Sequence, residues 1–153
     1  PEAVQPFVVM LAGAIPFIDG EGASPIGILG GIHPVVAGVA AALGNVLCVL
    51  ILVLLSSRAR TVALARGHRS GEPDRRKPES KGRRRFRRYL DRFGVPGASL
   101  LGPLALPGQV TAGMLIAAGT SRGWVLLWQA VSIILWTTLA TILAWGAVST
   151  VLV

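Results

Sequence analysis

Charge is almost missing from most of this chain of 153 residues. Residues 22–57 contain no Asp, Glu, Lys or Arg, and between residues 93 and 153 Arg122 is the only one. Stretches of that length without charge cannot form the surface of a water-soluble domain, and they exceed what is needed to cross about 30 Å of hydrocarbon. Cysteine is scarce as well. The single Cys48, set among Leu, Val and Ile, excludes a disulfide framework within one chain and reads as a small apolar filler. Also lacking are a Walker loop, a dinucleotide fingerprint, a metal-spaced His/Cys set and a Ser-His-Asp candidate. An enzyme, a cofactor, a metal site and ATP-driven transport by this chain alone are therefore not expected. The start at Pro1, with no basic n-region, shows no cleavable signal.

What charge there is sits in one place. Fourteen of the 15 Lys and Arg residues fall in residues 58–92 against four acids, so this segment carries +10 while the remainder sums to −2. The formal net charge of +8 thus describes one loop between two apolar halves.

Each half contains one run long enough to span a bilayer. Residues 35–57 give 23 uncharged positions, about 34 Å as a helix, and residues 124–146 give a second span of equal length. Trp124 and Trp145 lie near the two ends of that second span, where indoles favour the membrane interfaces, while Trp128 and Trp136 read as belt or core.

Ahead of each span lies an apolar segment broken in its middle. Residues 6–18, with Pro16 near their end, are too short to cross, and residues 19–25 interrupt them. Ser24 then reads as an N-cap with Pro25 in the first turn, restarting a helix through Gly27 to residue 32. In the second half, residues 95–118 are broken at Gly102-Pro103 and Pro107-Gly108. The expected fold is all-α: an integral membrane protein of two halves, each a broken, re-entrant hairpin (3–33 and 95–118) followed by a transmembrane helix. The positive-inside rule puts the basic loop 58–93 in the cytoplasm of a multi-pass protein of the plasma (inner) membrane. That orientation makes the halves inverted repeats, an arrangement that places transport sites between broken helices.

Within the loop, residues 67–82 read as flexible, and residues 83–93 as an amphipathic helix with Phe86, Tyr89, Leu90 and Phe93 on one side. Arg83, Arg84, Arg85, Arg87, Arg88 and Arg92 around it are expected to face anionic lipid. Nucleic-acid binding is not expected from these charges, given the apolar segments on both sides.

Asp19 and Glu21 are the first candidates for function, because acids at membrane depth usually face a polar cavity and can exchange protons. Otherwise they are solvated in an aqueous loop. Arg122 either snorkels to the cytoplasmic face or serves as a counter-charge to an acid or phosphate. Asn45, Gln109 and Thr111 supply uncharged hydrogen-bonding groups that either bind substrate or join helices. His33, before Pro34, reads as a boundary residue. The spacings Gly27-x-x-x-Gly31 and Ala37-x-x-x-Ala41 allow close helix approach within the chain or between copies, and so slender a bundle is expected to form a homodimer or higher homo-oligomer.

The string Ala14-Ile-Pro16-Phe-Ile with an acid shortly after, then Gly22-Ala-Ser-Pro25-Ile-Gly27 and an Ala-rich run into Gly44-Asn45, resembles the small multidrug export protein family. So do Gly94-Val-Pro-Gly97 and the segment to Gly108 after a basic loop. That family looks related to the DedA superfamily of re-entrant membrane proteins. The resemblance implies hairpins lined by acidic and arginine residues, the acids matching Asp19 and Glu21 and the arginine loosely matching Arg122. The expected function is proton-coupled secondary export of an amphipathic substrate. The alternatives are a translocase or scramblase for a lipid or lipid phosphate of the undecaprenyl type, and a membrane scaffold whose basic loop docks a partner.

Overall fold

A computed structural model describes residues 2–70 and 80–151. All regular structure among them is helical. A single 3-10 turn, Glu2–Val4, leads into α1 (Gln5–Gly13), α2 (Asp19–Leu29) and the long α3 (Pro34–Ser70). Then come α4 (Lys81–Leu101), a 3-10 turn at Gly102–Leu104, α5 (Gly108–Ala117) and α6 (Arg122–Val151). Short helix, break, short helix, turn and long helix thus occur twice, the second time from the apolar arm 95–101 of α4 onward.

Two helices, Pro34–Gly67 and Arg122–Val151, are long and apolar enough to cross a membrane, their most apolar windows reaching a mean hydropathy of 2.7 and 1.9. Only 33% and 17% of their most apolar windows are buried. A core helix of a water-soluble domain would be mostly covered by its neighbours; these are not. Among the described residues the outside is apolar, with Leu43, Leu47, Ile51, Ile134 and Leu143 exposed, while the inside mixes apolar residues such as Val49, Val53 and Leu115 with buried polar ones, Asn45, Gln109, Gln129, Ser99 and Thr137. An outside made largely of branched aliphatics is a poor match to water.

The order of the contacts explains how the short helices sit. Gly27 of α2 lies against Val9 of α1 and Ala37 of α3, and Gly13 packs on the Ala41 carbonyl. So α1 and α2 form a hairpin on the first third of α3. Gln109 meets Asn45, Gly113 faces Leu52, and the turn residue Gly119 lies under the Arg60 guanidinium, so α5 follows α3 away from Asn45 toward its charged end. The arm 95–101 runs along α6, where the Trp136 indole N–H donates to the Leu100 carbonyl at 2.8 Å. Both breaks consequently end near the level of Asn45, which is about 15 Å along the helix from residue 35 and about 18 Å from residue 57.

Several local expectations need correction. The first break occupies residues 14–18, not 19–25: Pro16 would clash with the preceding turn of a helix, and Phe17 and Asp19 adopt left-handed φ of 76° and 50°. Ser24 is not an N-cap, and Pro25 and Gly27 are interior to α2 rather than at a break. The Ser24 hydroxyl is instead 2.6 Å from that of Thr141 on α6, a tertiary tie that draws the segment into the helix. Helix α3 also continues past residue 57 into the basic segment, because Arg58-Ala-Arg-Thr-Val-Ala-Leu-Ala is mostly strong helix formers. Much of the expected flexible stretch, residues 71–79, lies outside the described residues. Ala37, Ala41 and Gly27 serve contacts within the chain.

The amphipathic segment is helical from Lys81, capped by Ser80, whose Oγ accepts from the Arg83 N–H at 3.3 Å. Its apolar side packs on the protein itself: Phe86, Tyr89 and Leu90 rest against the cluster of Val49, Val53, Ala112 and Leu115. The named arginines remain exposed. At Gly94 (φ 68°, ψ −173°) the axis turns from this basic arm into the apolar one. That conformation is open essentially only to glycine. Gly94→Ala is expected to lower stability by about 1–3 kcal/mol, read as a fall in the thermal unfolding midpoint in detergent.

Candidate functional site

The two breaks face each other. Between them lies a cleft of about 540 Å³ whose wall includes Phe17, Asp19 and Glu21 from the first break and the start of α2, Pro103 and Pro107 from the second break, and Trp136 of α6. Its geometry follows from helix ends. Neither α2, preceded by Ile18, nor α5, preceded by Pro107, has a side-chain cap from its own N-cap residue. Backbone carbonyls serve part of each first turn, Ile15 and Ile18 accepting from the Asp19 and Gly22 N–H groups and Pro107 from those of Val110 and Thr111, which leaves the Gly108 N–H at the very start of α5 to a partner from another element.

Asp19 meets part of that need. It is 7% exposed, and its carboxylate faces the Gly108 N–H and the Gln109 side-chain amide at the start of α5. A carboxylate at a helix N-terminus is favoured by the helix dipole, and here an acid of the first hairpin stands at the start of a helix of the second. Gln109 in turn donates from Nε2 to Asn45 Oδ1 at 3.1 Å. Of the candidates named from sequence, Asp19, Gln109 and Asn45 thus form one connected group across three helices. Glu21 lines the same cleft but is only half-buried.

Arg122 does not join them. It is exposed at the first position of α6, fourteen residues and about 21 Å of helix before Trp136. Among the described residues no Lys or Arg lines the cleft. Of the break residues, Pro16 lies in the first break, Pro103 and Pro107 lie in the second, and Gly108 opens α5. Thr111 is buried on α5 with its side chain against Gly102 at the second break. His33 sits in the turn before α3, where its Nδ1 accepts from the Val35 N–H at 3.3 Å.

A polar seam on α6 extends the group. Gln129 Nε2 donates to Ser99 Oγ at 3.2 Å, and its Oε1 faces Gly108; the Ser132 hydroxyl donates to the Ser99 carbonyl at 2.7 Å. Thr137 presses on Gly20, directly beside Asp19. Gln129, Ser132 and Thr137 fall on one side of α6, and uncharged polar residues sharing a side of an otherwise apolar span were the available signal for them. Within this buried region Asp19 Oδ1, Gln109 Oε1 and Thr137 Oγ1 have no hydrogen-bond partner among the described residues. Unpaired buried oxygens are costly, and of these three groups Asp19 is the one in the cleft wall, where a donor or cation entering the cleft would meet its carboxylate; Gln109 and Thr137 are not part of that wall. The left-handed Phe17, 84% exposed on the rim, adds a strained backbone of the sort found at ligand sites.

In comparisons with protein-family models, with curated proteins and with solved structures, the chain matches none.

Proposed function

We propose that this protein is a small membrane transporter that exports an amphipathic cation in exchange for protons, using Asp19 with Glu21 at the junction of two re-entrant hairpins. The observation that carries the reading is the cleft itself: the two breaks share it, and it holds two acids beneath an otherwise apolar exterior. An acid enclosed where water is scarce must be protonated or matched by a cation, which is the requirement for exchanging one for the other. Phe17, Leu104, Leu106 and Trp136 in the same wall suit the apolar part of the cargo.

The topology in this reading is that of inverted repeats. The first hairpin enters from and returns to the outer face, the second does so from the cytoplasmic face, and residues 58–93 lie in the cytoplasm of a multi-pass plasma-membrane protein. Asn45, near the middle of its span, then sits near the bilayer midplane. The resemblance to small multidrug export and DedA-type proteins points the same way. A cleft lined by two acids and no base among the described residues favours a cation over a lipid phosphate as its occupant.

Proteoliposomes loaded with a fluorescent amphipathic cation such as ethidium test the proposal. An imposed pH gradient is expected to drive ethidium movement, and a protonophore to stop it. Movement that is the same with and without the gradient would remove proton coupling.

A further inference from the structure

A second cleft, of about 580 Å³, lies at the charged end of the molecule, between the start of α4 and the end of α5. Its chemistry is opposite to that of the first. Arg83 and Arg87, one helical turn apart on α4, line one side, and Phe86, Leu90 and Met114 make the apolar remainder. Side chains at that spacing stand about 5–6 Å apart at their bases, close enough for two guanidinium groups to engage one small anion. From α3, the Arg60 guanidinium lies over Gly119, beside Ala118 of the cleft wall, bringing a third basic group from a separate element. The N-terminus of α4 opens at the same place, through Gly82 and the Ser80 cap, and adds partial positive charge.

The level of the cleft identifies its occupant. It sits where the uncharged part of α3 gives way to Arg58 and Arg60, the depth at which an inner-leaflet headgroup meets its acyl chains. Arginines bind phosphate in a directed, often bidentate way, and an apolar wall next to them has no use for a free ion. We infer that this cleft is a discrete binding site for one anionic phospholipid of the inner leaflet, its phosphate held by Arg83 and Arg87 with Arg60 nearby and an acyl chain lying along Phe86, Leu90 and Met114. A lipid so placed joins the basic arm of α4 to the end of α5; the site rests on the membrane orientation proposed above but not on transport, since it is separate from the transport cleft.

The test uses charge-matched pairs on the same helix. Arg84 and Arg88 carry the same charge as Arg83 and Arg87 on the same turns, rotated by about 100° around the helix, but do not line the cleft. The full chain, purified in a neutral detergent, is titrated with dioleoylphosphatidylglycerol, and bound lipid is counted by native mass spectrometry. Arg83→Ala with Arg87→Ala is expected to weaken binding at least about tenfold, the loss for removing charged hydrogen bonds, while Arg84→Ala with Arg88→Ala leaves it within about threefold. All four arginines are exposed, and both pairs are expected to keep the parent's unfolding midpoint in detergent, so that a loss of lipid binding is read apart from any loss of fold. Equal losses in both pairs would reduce the effect to diffuse charge and overturn the site. Binding of dioleoylphosphatidylcholine as tight as that of the anionic lipid would overturn it too. Inorganic phosphate displacing the lipid at equal concentration would assign the cleft to a soluble anion instead.

Discussion

Asp19→Asn is expected to reduce proton-driven cation movement in proteoliposomes by at least about tenfold, equivalent to about 1.4 kcal/mol, while leaving the protein folded. The substitution keeps the size of the side chain and one carbonyl oxygen, so the Gly108 N–H and the Gln109 amide still face an acceptor. What is lost is the charge and with it the ability to bind and release a proton. Glu21→Gln is expected to have the smaller effect, because Glu21 is only half-buried on the wall of the same cleft and water can screen it. An unfolding midpoint close to that of the parent protein, alongside lost movement, separates the transport role of Asp19 from its structural place at the start of α5. Retained movement in the Asp19→Asn, Glu21→Gln double variant would remove both acids from the mechanism.

The largest structural effect is expected at Gly44. A Cβ there would collide with the Met10 backbone carbonyl, and Gly13 stands against the Ala41 carbonyl in the same interface. Backbone cannot swing aside as a side chain does, so Gly44→Val must push α1 off α3. Without α1 the first hairpin has no second arm. Overpacking of this kind costs about 1–3 kcal/mol and more when the obstacle is rigid, and in an apolar solvent the close contact of small residues is itself the main attraction between helices. The expected outcome is a much lower midpoint, or loss of the folded band, in thermal unfolding in detergent. Gly123→Ala and Gly146→Ala meet nothing within 4 Å and serve as controls. Both lie in α6, where alanine is the better helix former by about 1 kcal/mol.

The contrast between the two breaks shows what the amino-acid pattern can and cannot reveal. The second is legible because Gly102-Pro103 and Pro107-Gly108 bracket it, and no helix tolerates both pairs. At the first, Ser24-Pro25 has the appearance of a helix start, yet the contacts of Ser24 with Thr141 and of Gly20 with Thr137 hold that segment in α2. Local preference lost to tertiary packing, and the break moved to Pro16. The arginine-rich helix is similar: its periodicity shows an apolar side but not what covers it, which is the core of the same chain. Asp19, Asn45 and Gln109 were identifiable as polar groups in apolar surroundings. That they meet is a property of the fold, since they are brought from positions 26 and 64 residues apart.

The central claim is that each hairpin returns to the face it came from, so that the breaks meet inside the bilayer. Cysteine accessibility measures this directly. In a Cys48→Ala background, single cysteines at Val4, Gly31, Phe93 and Thr120 are labelled in intact cells and in inverted vesicles with a membrane-impermeant maleimide. The account predicts that Val4 and Gly31 react from the outside only, and Phe93 and Thr120 from the cytoplasmic side only. Labelling of Val4 and Gly31 from opposite faces would contradict it, turning the first hairpin into ordinary spans and leaving the acids of the cleft without a shared site.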